Sequence, residues 1–588
     1  MNIVEYIKEL KSQNIFIHIR NGELKIKAKK EFLTEDIISG IRSRKEEILE
    51  FYKAFNGEAT YSSIGRSKNK HHYSVSSVQR RLYFVNELQT SSLAYNMPQV
   101  IKLDGRLEES KLQNAFTMLV QRHEVLRTSF QLVDHEVVQV IHDKVEFEIE
   151  DYKAANEAEI TSITSKFVRP FDLSKAPLIR AGLVTLSDQS YFLMLDVHHI
   201  INDWQSYGIL INDIVSLYSG ETLAPLTLQY KDYAEWQQSE EQQERISAQR
   251  DFWKKEFARE ASVLDLPTDY PRPSVKNFEG NNRAFILNRE ETERLWSLAQ
   301  ETETTMFMTI LSVFNVLLSK LGNQEDIIVG TPVTGRNHAD LEEAVGMFVY
   351  TIAIRNDVNG ALSFKEFLSN VKEKTLSCLD NEMYPYEELI GELQIPRNTS
   401  RNPLFSIMFV LEPMVESKEI SIPDLRFENY NNGHKISKFD LTLRARVSKD
   451  EIILIYEYST ELFSEETIER FIVYFQQIIK EITDHSERKI SEINILPLNE
   501  REKLLGKFND TSADYPRDQT LIALFEEQVQ KIPANTALIY EDQELSYEAL
   551  DARSNQLARS LLERGCCPGM VVGLMVDRSI EMMVGMLA

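Results

Sequence analysis

The sequence predicts a multidomain α/β protein that begins with a small α-β-β-α unit. Its 588 residues exceed the roughly 250–300 that a single hydrophobic core usually serves. From Tyr73 to about Leu496, segments with strand periodicity alternate with segments of helical periodicity, which is typical of α/β layers. Before this region, a two-strand pattern lies between two helical patterns. We therefore expect several domains in one chain.

The first unit, residues 1–56, is predicted to be helix–hairpin–helix. Apolar residues recur at helical spacing over residues 3–12 and again from about Thr34. Between them, two alternating segments flank Asn21-Gly22, the strongest short signal for a tight hairpin turn. A polar stretch follows, and we interpret residues 57–72 as a flexible linker.

The predicted hairpin is basic, whereas the whole chain carries a formal charge of -25. His18, Arg20, Lys25 and Lys27 crowd its two strands. A basic exposed hairpin can accept an acidic peptide as an added strand. Lysines on an edge strand also serve simply to prevent aggregation. Both interpretations remain open from the residues alone.

Composition excludes several classes of function. The negative charge argues against nucleic acid, which is bound by concentrated Lys and Arg. No apolar run reaches the roughly 18–20 residues that span a bilayer, and the N-terminus is not a signal peptide. Cys378, Cys566 and Cys567 have neither disulfide-framework nor metal-ligand spacing. A cytoplasmic protein without nucleic-acid or membrane partners is expected.

The chemically informative segment is DVHHIINDWQS, residues 196–206, in which an apolar strand ends in His198 and His199. Strand ends of α/β domains are where side chains meet a cleft. Adjacent histidines cannot both face one way, so one serves the cleft while the other packs. The alternatives are structural: Asp203 is placed to cap the next helix, and a lone histidine is often a core residue. His199 and Asp203 could ligate a metal, but no third ligand is evident, so no metal is predicted.

HHIINDW resembles the HHxxxDG motif of nonribosomal peptide synthetase condensation domains, and further segments agree with the family in order and spacing. These are SSVQRRLYF (76–84), RHEVLRTSF (122–130), YKDYAEW (230–236), GTPVTGR (330–336), VGMFVYT (345–351), YPYEELI (384–390), SRNPLF (400–405) and KFDLTL (438–443).

The resemblance implies two chloramphenicol-acetyltransferase-like lobes that form a V, with an N-lobe over 73–255 and a C-lobe over 256–496. Donor and acceptor peptidyl carrier domains would insert 4'-phosphopantetheine arms from opposite faces, and no cofactor would be bound covalently here. The family pattern implies that His199 faces the tunnel and acts as a base. His198 would support the loop, and Asp203 would pair with Arg336 from the other lobe.

The flanking segments resemble other parts of such synthetases. The N-terminal unit resembles tubulysin-type docking domains, which receive the C-terminal tail of an upstream subunit. LSYEAL, residues 545–550, resembles the first core motif of adenylation domains. We expect a linker over 497–513 and a truncated adenylation domain over 514–588, which neither activates nor carries an amino acid.

The sequence departs from the family pattern at Trp204, where Gly is usual, and at Tyr350, where Asn is usual; Val78 is a further departure in the first motif. Either Trp204 forms a wall of the tunnel for an unusual substrate, or activity is weakened. Because His199 and Asp203 persist, an active amide-forming acyltransferase is the prediction.

Other functions within reach of these motifs are less consistent with the chain. Epimerisation domains share HHxxxDG but follow a carrier, and heterocyclisation domains replace the histidines. A free acyltransferase that uses coenzyme A needs neither a docking hairpin nor an adenylation start. The first motif resembles domains with an L-configured donor, with a fatty-acyl donor as the alternative. The remaining alternative is a degenerate domain that serves as a carrier-binding platform.

Overall fold

The computed structural model describes residues 16–20, 23–27, 35–48, 63–88, 92–187, 189–395, 398–412, 420–422, 425–430 and 436–588. Contacts divide the chain into Met1–Pro497 and Leu498–Ala588. The predicted first helix, over residues 3–12, and the Asn21-Gly22 turn lie outside the described residues. The predicted α/β architecture is confirmed in both units.

The strands, in chain order, are β1 (Phe16–Arg20), β2 (Glu23–Lys27), β3 (Tyr73–Ser74), β4 (Asn96–Gly105), β5 (Thr128–Val133), β6 (Glu136–Ile141), β7 (Ile149–Lys153), β8 (Ile179–Ser187), β9 (Ser190–His198), β10 (Gly280–Leu287), β11 (Asp326–Thr334), β12 (Val349–Asp357), β13 (Ile407–Glu412), β14 (Ile420–Ile422), β15 (Leu425–Tyr430), β16 (Leu441–Val447), β17 (Ile452–Ser459), β18 (Thr536–Tyr540) and β19 (Gln543–Ser546).

The α-helices are α1 (Glu35–Ser43), α2 (Ser77–Leu88), α3 (Glu109–Arg122), α4 (Ile160–Phe167), α5 (Trp204–Tyr218), α6 (Tyr230–Gln237), α7 (Glu240–Glu256), α8 (Arg289–Glu301), α9 (Met306–Gly322), α10 (Phe364–Asp380), α11 (Tyr386–Glu392), α12 (Glu465–Asp484), α13 (Leu498–Leu505), α14 (Leu521–Lys531), α15 (Tyr547–Glu563) and α16 (Ile580–Leu587).

Within the described part of Met1–Pro497, two six-stranded mixed sheets each support a hydrophobic core. The first has the order β14-β15-β4-β9-β8-β7, and its core is covered by apolar faces of α2, α3 and α5. The second has the order β10-β17-β16-β13-β11-β12 and is covered by α9, α10 and α12. Strand β9 lies inside the first sheet between β4 and β8, so its C-terminal end is held on both sides.

The two sheets exchange chain segments, which the sequence pattern did not predict. Strand β15 belongs to the C-terminal half of the chain but pairs antiparallel with β4, with Leu425 opposite Gly105. Val345, Phe348 and Tyr350 follow β11 of the second sheet, yet their side chains are buried in the first core. Each half of this unit therefore contributes residues to the sheet or core of the other. The lobe limits at 255 and 256 stay a prediction.

Two predicted connecting segments contain structure that the polar composition did not indicate. Residues 63–72, the described end of the predicted flexible linker, lack regular secondary structure but are fixed: Ile64 is buried, and Arg66 donates to the carbonyl oxygens of Leu226 and Thr227. The linker expected over 497–513 contains α13 and a 3-10 turn, Lys507–Asn509. Helix α7 also lies in a polar stretch of the sequence, and Ile246 and Trp253 give it a buried apolar face.

In the described residues, no single helix is both long and apolar enough to cross a bilayer; α8 and α9 meet the length and composition criteria only as a pair, bent by 106°. Most of α9 lies in the second core.

Candidate active site

The two histidines lie where β9 leaves the first sheet. His198 is the last residue of β9 and pairs with Asn96 of β4, while its backbone N–H donates to Leu178. His199 begins a 3-10 turn, His199–Ile201, and its backbone N–H donates to the Tyr95 carbonyl oxygen at 2.8 Å. The two imidazoles have different contacts: the ring of His198 meets Phe171, and the Nδ1 of His199 lies against the Asn202 carbonyl oxygen.

His199 is held in the tautomer that a general base requires. Its Nδ1 lies 2.7 Å from the carbonyl oxygen of Asn202. Because a carbonyl oxygen only accepts hydrogen bonds, Nδ1 carries the proton and Nε2 keeps its lone pair. Burial, reinforced by the positive charge of Lys438, lowers the pKa of His199 to about 4. The imidazole is therefore neutral at pH 7 and able to accept a proton.

His198 is a packing residue. Its side chain is 2% exposed, and its ring meets Phe171 edge to face at a centroid distance of 5.9 Å. Its Nδ1 accepts from the backbone N–H of Ile200 at 3.2 Å. Burial lowers the pKa of His198 to about 3, with the neighbouring His199 as the next cause. A neutral ring in this position shapes the turn that carries His199.

Asp203 caps α5 and also reaches across to the other half of the chain. Its Oδ1 accepts from the backbone N–H of Ser206 at 2.7 Å, the interaction of a helix N-cap. Its Oδ2 accepts from the backbone N–H of Phe348 at 3.1 Å. The guanidinium of Arg336 lies 3.3 Å from Oδ1, so the predicted contact between Asp203 and Arg336 is present.

Arg336 fastens the segment that follows β11 against the start of α5. Its guanidinium donates to the carbonyl oxygens of Leu341 and Ala344 and stacks 4.0 Å from the Phe348 ring centroid. It also donates to Ser206 Oγ at 2.7 Å. Side-chain exposures of 4% for Arg336 and 2% for Asp203 make this a buried ion pair.

Ser206 completes the network and was missed by the sequence analysis. Its hydroxyl donates to the Gly346 carbonyl and accepts from the Gly346 N–H at 3.0 Å. Gly346 lies so close to Tyr230 that an added Cβ would come within 1.7 Å of the ring. The signal in the sequence was a serine three residues after Asp203, at the N3 position of a capped helix.

Trp204 is the first residue of α5, so its backbone is helical and does not require glycine. The indole is 46% exposed and stacks on the ring of Tyr207 at 6.5 Å. Trp204 in place of the family glycine therefore changes the space that the side chain fills and leaves the backbone conformation unstrained. An exposed indole five residues after His199 is available to contact a substrate.

Tyr350 and the hairpin residues lie apart from the network of Asp203. Tyr350 is buried, and its hydroxyl is within 2.9 Å of the Tyr233 hydroxyl and accepts from the Gln237 amide.

In the hairpin, the register pairs His18 with Lys25, Arg20 with Glu23 and Phe16 with Lys27. The four basic positions, His18, Arg20, Lys25 and Lys27, therefore fall on one face of the hairpin.

Among the described residues, no group of three or more His, Cys, Asp or Glu side chains is placed to hold a metal ion. The alternative of a metal at His199 and Asp203 also conflicts with the contacts of Asp203. Both carboxylate oxygens are already engaged by backbone N–H groups, and Arg336 supplies a third interaction.

Comparison with known proteins agrees with this geometry. The condensation-domain family model matches residues 69–505, the TubC N-terminal docking-domain model matches residues 3–54, and the AMP-binding-enzyme model matches residues 525–588. Tyrocidine synthase 3 of Brevibacillus parabrevis is 45% identical over 531 residues, which cover 90% of this chain and 8% of that protein. Bacitracin synthase 2 of Bacillus licheniformis is 38% identical over 589 residues, which cover 100% of this chain and 22% of that protein. The chain thus spans less than a quarter of the length of these relatives.

Solved structures show the same architecture. A holo four-domain nonribosomal peptide synthetase, AB3403, bound to AMP and glycine, aligns with a TM-score of 0.76 at 25% identity, over 91% of this chain and 42% of that chain. The first condensation domain of the calcium-dependent antibiotic synthetase shares the fold at 17% identity and a TM-score of 0.60, over 73% of this chain and 100% of that chain. The resemblance stated from the motifs is confirmed: the chain belongs to the condensation-domain family of nonribosomal peptide synthetases, with a TubC-type docking domain before the condensation domain and the start of an AMP-binding domain after it.

Proposed function

We propose that this chain forms an amide bond between an upstream carrier-tethered acyl or peptidyl thioester and the amine of a downstream aminoacyl carrier. The observation that carries the proposal is the state of His199: a neutral imidazole whose Nδ1–H is fixed by Asn202 and whose Nε2 is free. This is the arrangement of a general base that accepts one proton and returns it.

The reaction proceeds through one tetrahedral intermediate. The acceptor amine attacks the thioester carbonyl carbon, the C–N bond forms, and the carbonyl π electrons move to oxygen. His199 Nε2 takes a proton from the attacking nitrogen. Collapse of the oxyanion breaks the C–S bond, and the imidazolium returns its proton to the departing thiolate. The products are an amide and the free thiol of the donor phosphopantetheine arm.

The demand on His199 is moderate. An α-amine has a pKa near 7.7–8.0, so an appreciable fraction is already neutral at physiological pH. A positioned base contributes about 10²–10⁴-fold, while holding two tethered reactants in line can contribute more. We therefore expect residual activity when His199 is removed.

Asp203, Arg336 and Ser206 are assigned a supporting role. Their contacts fix the end of the loop 199–203 through the first turn of α5 and tie it to residues 344–348. His198 supports the same loop through the hydrogen bond that its Nδ1 accepts from the backbone N–H of Ile200. Trp204 is assigned to the wall of the substrate tunnel, because its indole is half exposed next to that loop. Tyr350 is assigned to the packing around Tyr233.

The partners follow from the domain order. We propose that donor and acceptor peptidyl carriers deliver their substrates on 4'-phosphopantetheine arms, and that the hairpin of residues 1–56 binds the acidic C-terminal tail of the upstream subunit. The basic positions His18, Arg20, Lys25 and Lys27 share one hairpin face in the β1–β2 register, which supports an acidic ligand. A cytoplasmic location is part of the proposal.

The test is carrier-dependent amide formation. Donor and acceptor carriers are loaded with a panel of acyl and aminoacyl groups, and mass spectrometry follows the amide product with this chain, with His199→Ala and with the control His485→Ala. His485 is an exposed residue after α12. We expect a fall of about 10²–10⁴-fold for His199→Ala alone. Absence of product for every pair would favour the alternative, a degenerate platform that binds carriers without turnover.

A further inference from the structure

We propose that Lys438 is a further catalytic residue, whose ammonium binds the oxyanion that forms when the acceptor amine attacks the donor thioester. The inference rests on the proposed amide-forming function. It extends that function to a cation that comes from the other half of the chain.

Tyr95 connects Lys438 to the candidate base. The backbone carbonyl of Tyr95 accepts from the His199 N–H at 2.8 Å, and the Lys438 Nζ lies 4.8 Å from the Tyr95 ring centroid. The charge of Lys438 is also the largest cause, after burial, of the lowered pKa of His199. Tyr95 therefore contacts both residues, and the charge of Lys438 acts on the His199 imidazole.

Within the described part of the chain, the ammonium of Lys438 makes no close ion pair and can therefore bind an anion. Among the residues that the structure describes, no carboxylate oxygen lies within 4.0 Å of Lys438 Nζ, and the nearest compensating charge is the more distant carboxylate of Glu457. By contrast, nearby Arg81 is paired with Glu387 at 2.9 Å. An ammonium has three donors, and a half-buried one without an ion pair gains most from an anion brought to it.

Three backbone N–H groups of the loop that carries His199 are already used in hydrogen bonds. The backbone N–H of His199 is used by Tyr95, that of Ile200 by His198 Nδ1, and that of Asn202 by the His199 carbonyl. An oxyanion is stabilised by donors fixed in advance at about 2.7–3.1 Å. With these three amides engaged, we assign part of the oxyanion's stabilisation to a side-chain cation, Lys438, on the facing segment.

Lys438 is held in place by its own backbone. Its carbonyl oxygen accepts from Lys276 Nζ at 2.7 Å and from the Asn402 amide at 3.1 Å. The preceding residue, Ser437, donates its backbone N–H to Phe278 at 2.9 Å. A fixed backbone limits the reorganisation that charge stabilisation would otherwise require.

Protonation of Lys438 falls in an accessible pH range. Burial lowers the pKa of Lys438 to about 8, with Arg81 acting in the same direction and Glu457 in the opposite one. Titratable and charged groups from each element around it are Arg81 on α2, Tyr95 before β4, His198 at the end of β9, His199 after β9, Lys276 before β10 and Glu457 on β17. The ammonium is mostly present at pH 7 and is lost as pH rises through about 8.

The experiment measures single-turnover amide formation from loaded donor and acceptor carriers between pH 6.5 and 9.5. The variants are Lys438→Met, Lys438→Arg and the control Lys320→Met. Lys320 lies near the end of α9 and is also a partly buried lysine with a lowered pKa. Its ammonium donates to the Ser491 carbonyl oxygen, away from His199 in the fold, so it serves as the control. Thermal unfolding is recorded for each variant.

We expect Lys438→Met to lose about 10²–10³-fold in rate, as when one oxyanion donor is removed. The rate of the parent chain should fall above pH 8, because the Lys438 ammonium is lost there. Lys438→Arg should keep most of the rate and show no such fall, because a guanidinium stays charged. Lys320→Met should match the parent chain. A rate for Lys438→Met within about threefold of the parent overturns the inference.

If Lys438→Met does not fold, the pH profile of Lys438→Arg decides, and persistence of the fall above pH 8 overturns the inference. Failure of the parent chain to form any amide refutes the proposed function and this inference together. An active parent chain with a Lys438→Met variant of equal rate refutes only the role of Lys438.

Discussion

The buried pair of Asp203 and Arg336 should be strongly coupled in stability. Asp203→Asn keeps an oxygen for the cap of α5 but leaves the guanidinium of Arg336 buried without a counter-charge. Removing one partner of a buried pair costs about 3–5 kcal/mol in unfolding free energy. Arg336→Met leaves the Asp203 carboxylate buried, although two backbone N–H groups still stabilise it, so we expect about 3 kcal/mol.

The double variant leaves neither charge buried, and its loss should be smaller than the sum of the two. We expect a coupling free energy of about 2 kcal/mol, within the range measured for residues that share a network. The assay is urea unfolding followed by tryptophan fluorescence. All four tryptophans, Trp204, Trp236, Trp253 and Trp296, lie between residues 204 and 296, so the signal reports on the condensation domain and not on its neighbours.

A matched cycle on a surface pair provides the reference. Arg289 and Glu293 are one helical turn apart on α8, with side-chain exposures of 75% and 59%. Their coupling should be about 0.5 kcal/mol or less. If the coupling of Asp203 with Arg336 is no larger than this reference, the network does not hold the two segments together as described.

Trp204→Gly should alter the order of preference within the donor and acceptor panel and lower the unfolding free energy by about 1 kcal/mol, the helix cost of glycine; unchanged preference and rate would remove Trp204 from the tunnel wall. His198 is neutral in the fold with a pKa of about 3, so its stability contribution is complete above about pH 6.5 and is lost as pH falls toward 3. His198→Asn should reduce the acid-side slope of unfolding free energy by about 1.4 kcal/mol per pH unit, and an unaltered slope between pH 6 and 4 would contradict the neutral buried ring. Lys25→Glu with Lys27→Glu should weaken binding of a synthetic acidic tail peptide from the upstream subunit, measured by fluorescence anisotropy, and equal affinity for both forms would exclude the basic face as the docking surface.

Local patterns in the sequence predicted the elements that depend on local physics. The apolar run 191–197 lies within β9, and Asp203 caps a helix that begins at Trp204 and ends before Gly220, where φ is +84°. The alternating segments before and after Asn21-Gly22 pair as the antiparallel strands β1 and β2. In these cases the periodicity and the capping residue are themselves the cause of the structure.

What the sequence did not predict depends on contacts between distant segments. Strand β15 joins β4 across more than 300 residues, and no periodicity in either segment encodes that pairing. The contacts of Ser206 with Gly346 and of Lys438 with Tyr95 form only in the fold, although Ser206 follows the capping Asp203 and Lys438 begins the KFDLTL segment. Residues 63–72 looked like a linker because their composition is polar, yet Ser67 is fixed by hydrogen bonds to the buried carboxylate of Asp232.

The most direct test of the central claim is the rate of a single turnover for one loaded donor and acceptor pair, measured by rapid quench with the parent chain and with His199→Ala. Because His199 is neutral with Nε2 free, we predict amide product with the parent chain and a rate about 10²–10⁴-fold lower with the variant. Equal rates for the two proteins would contradict the assignment of His199 as the base.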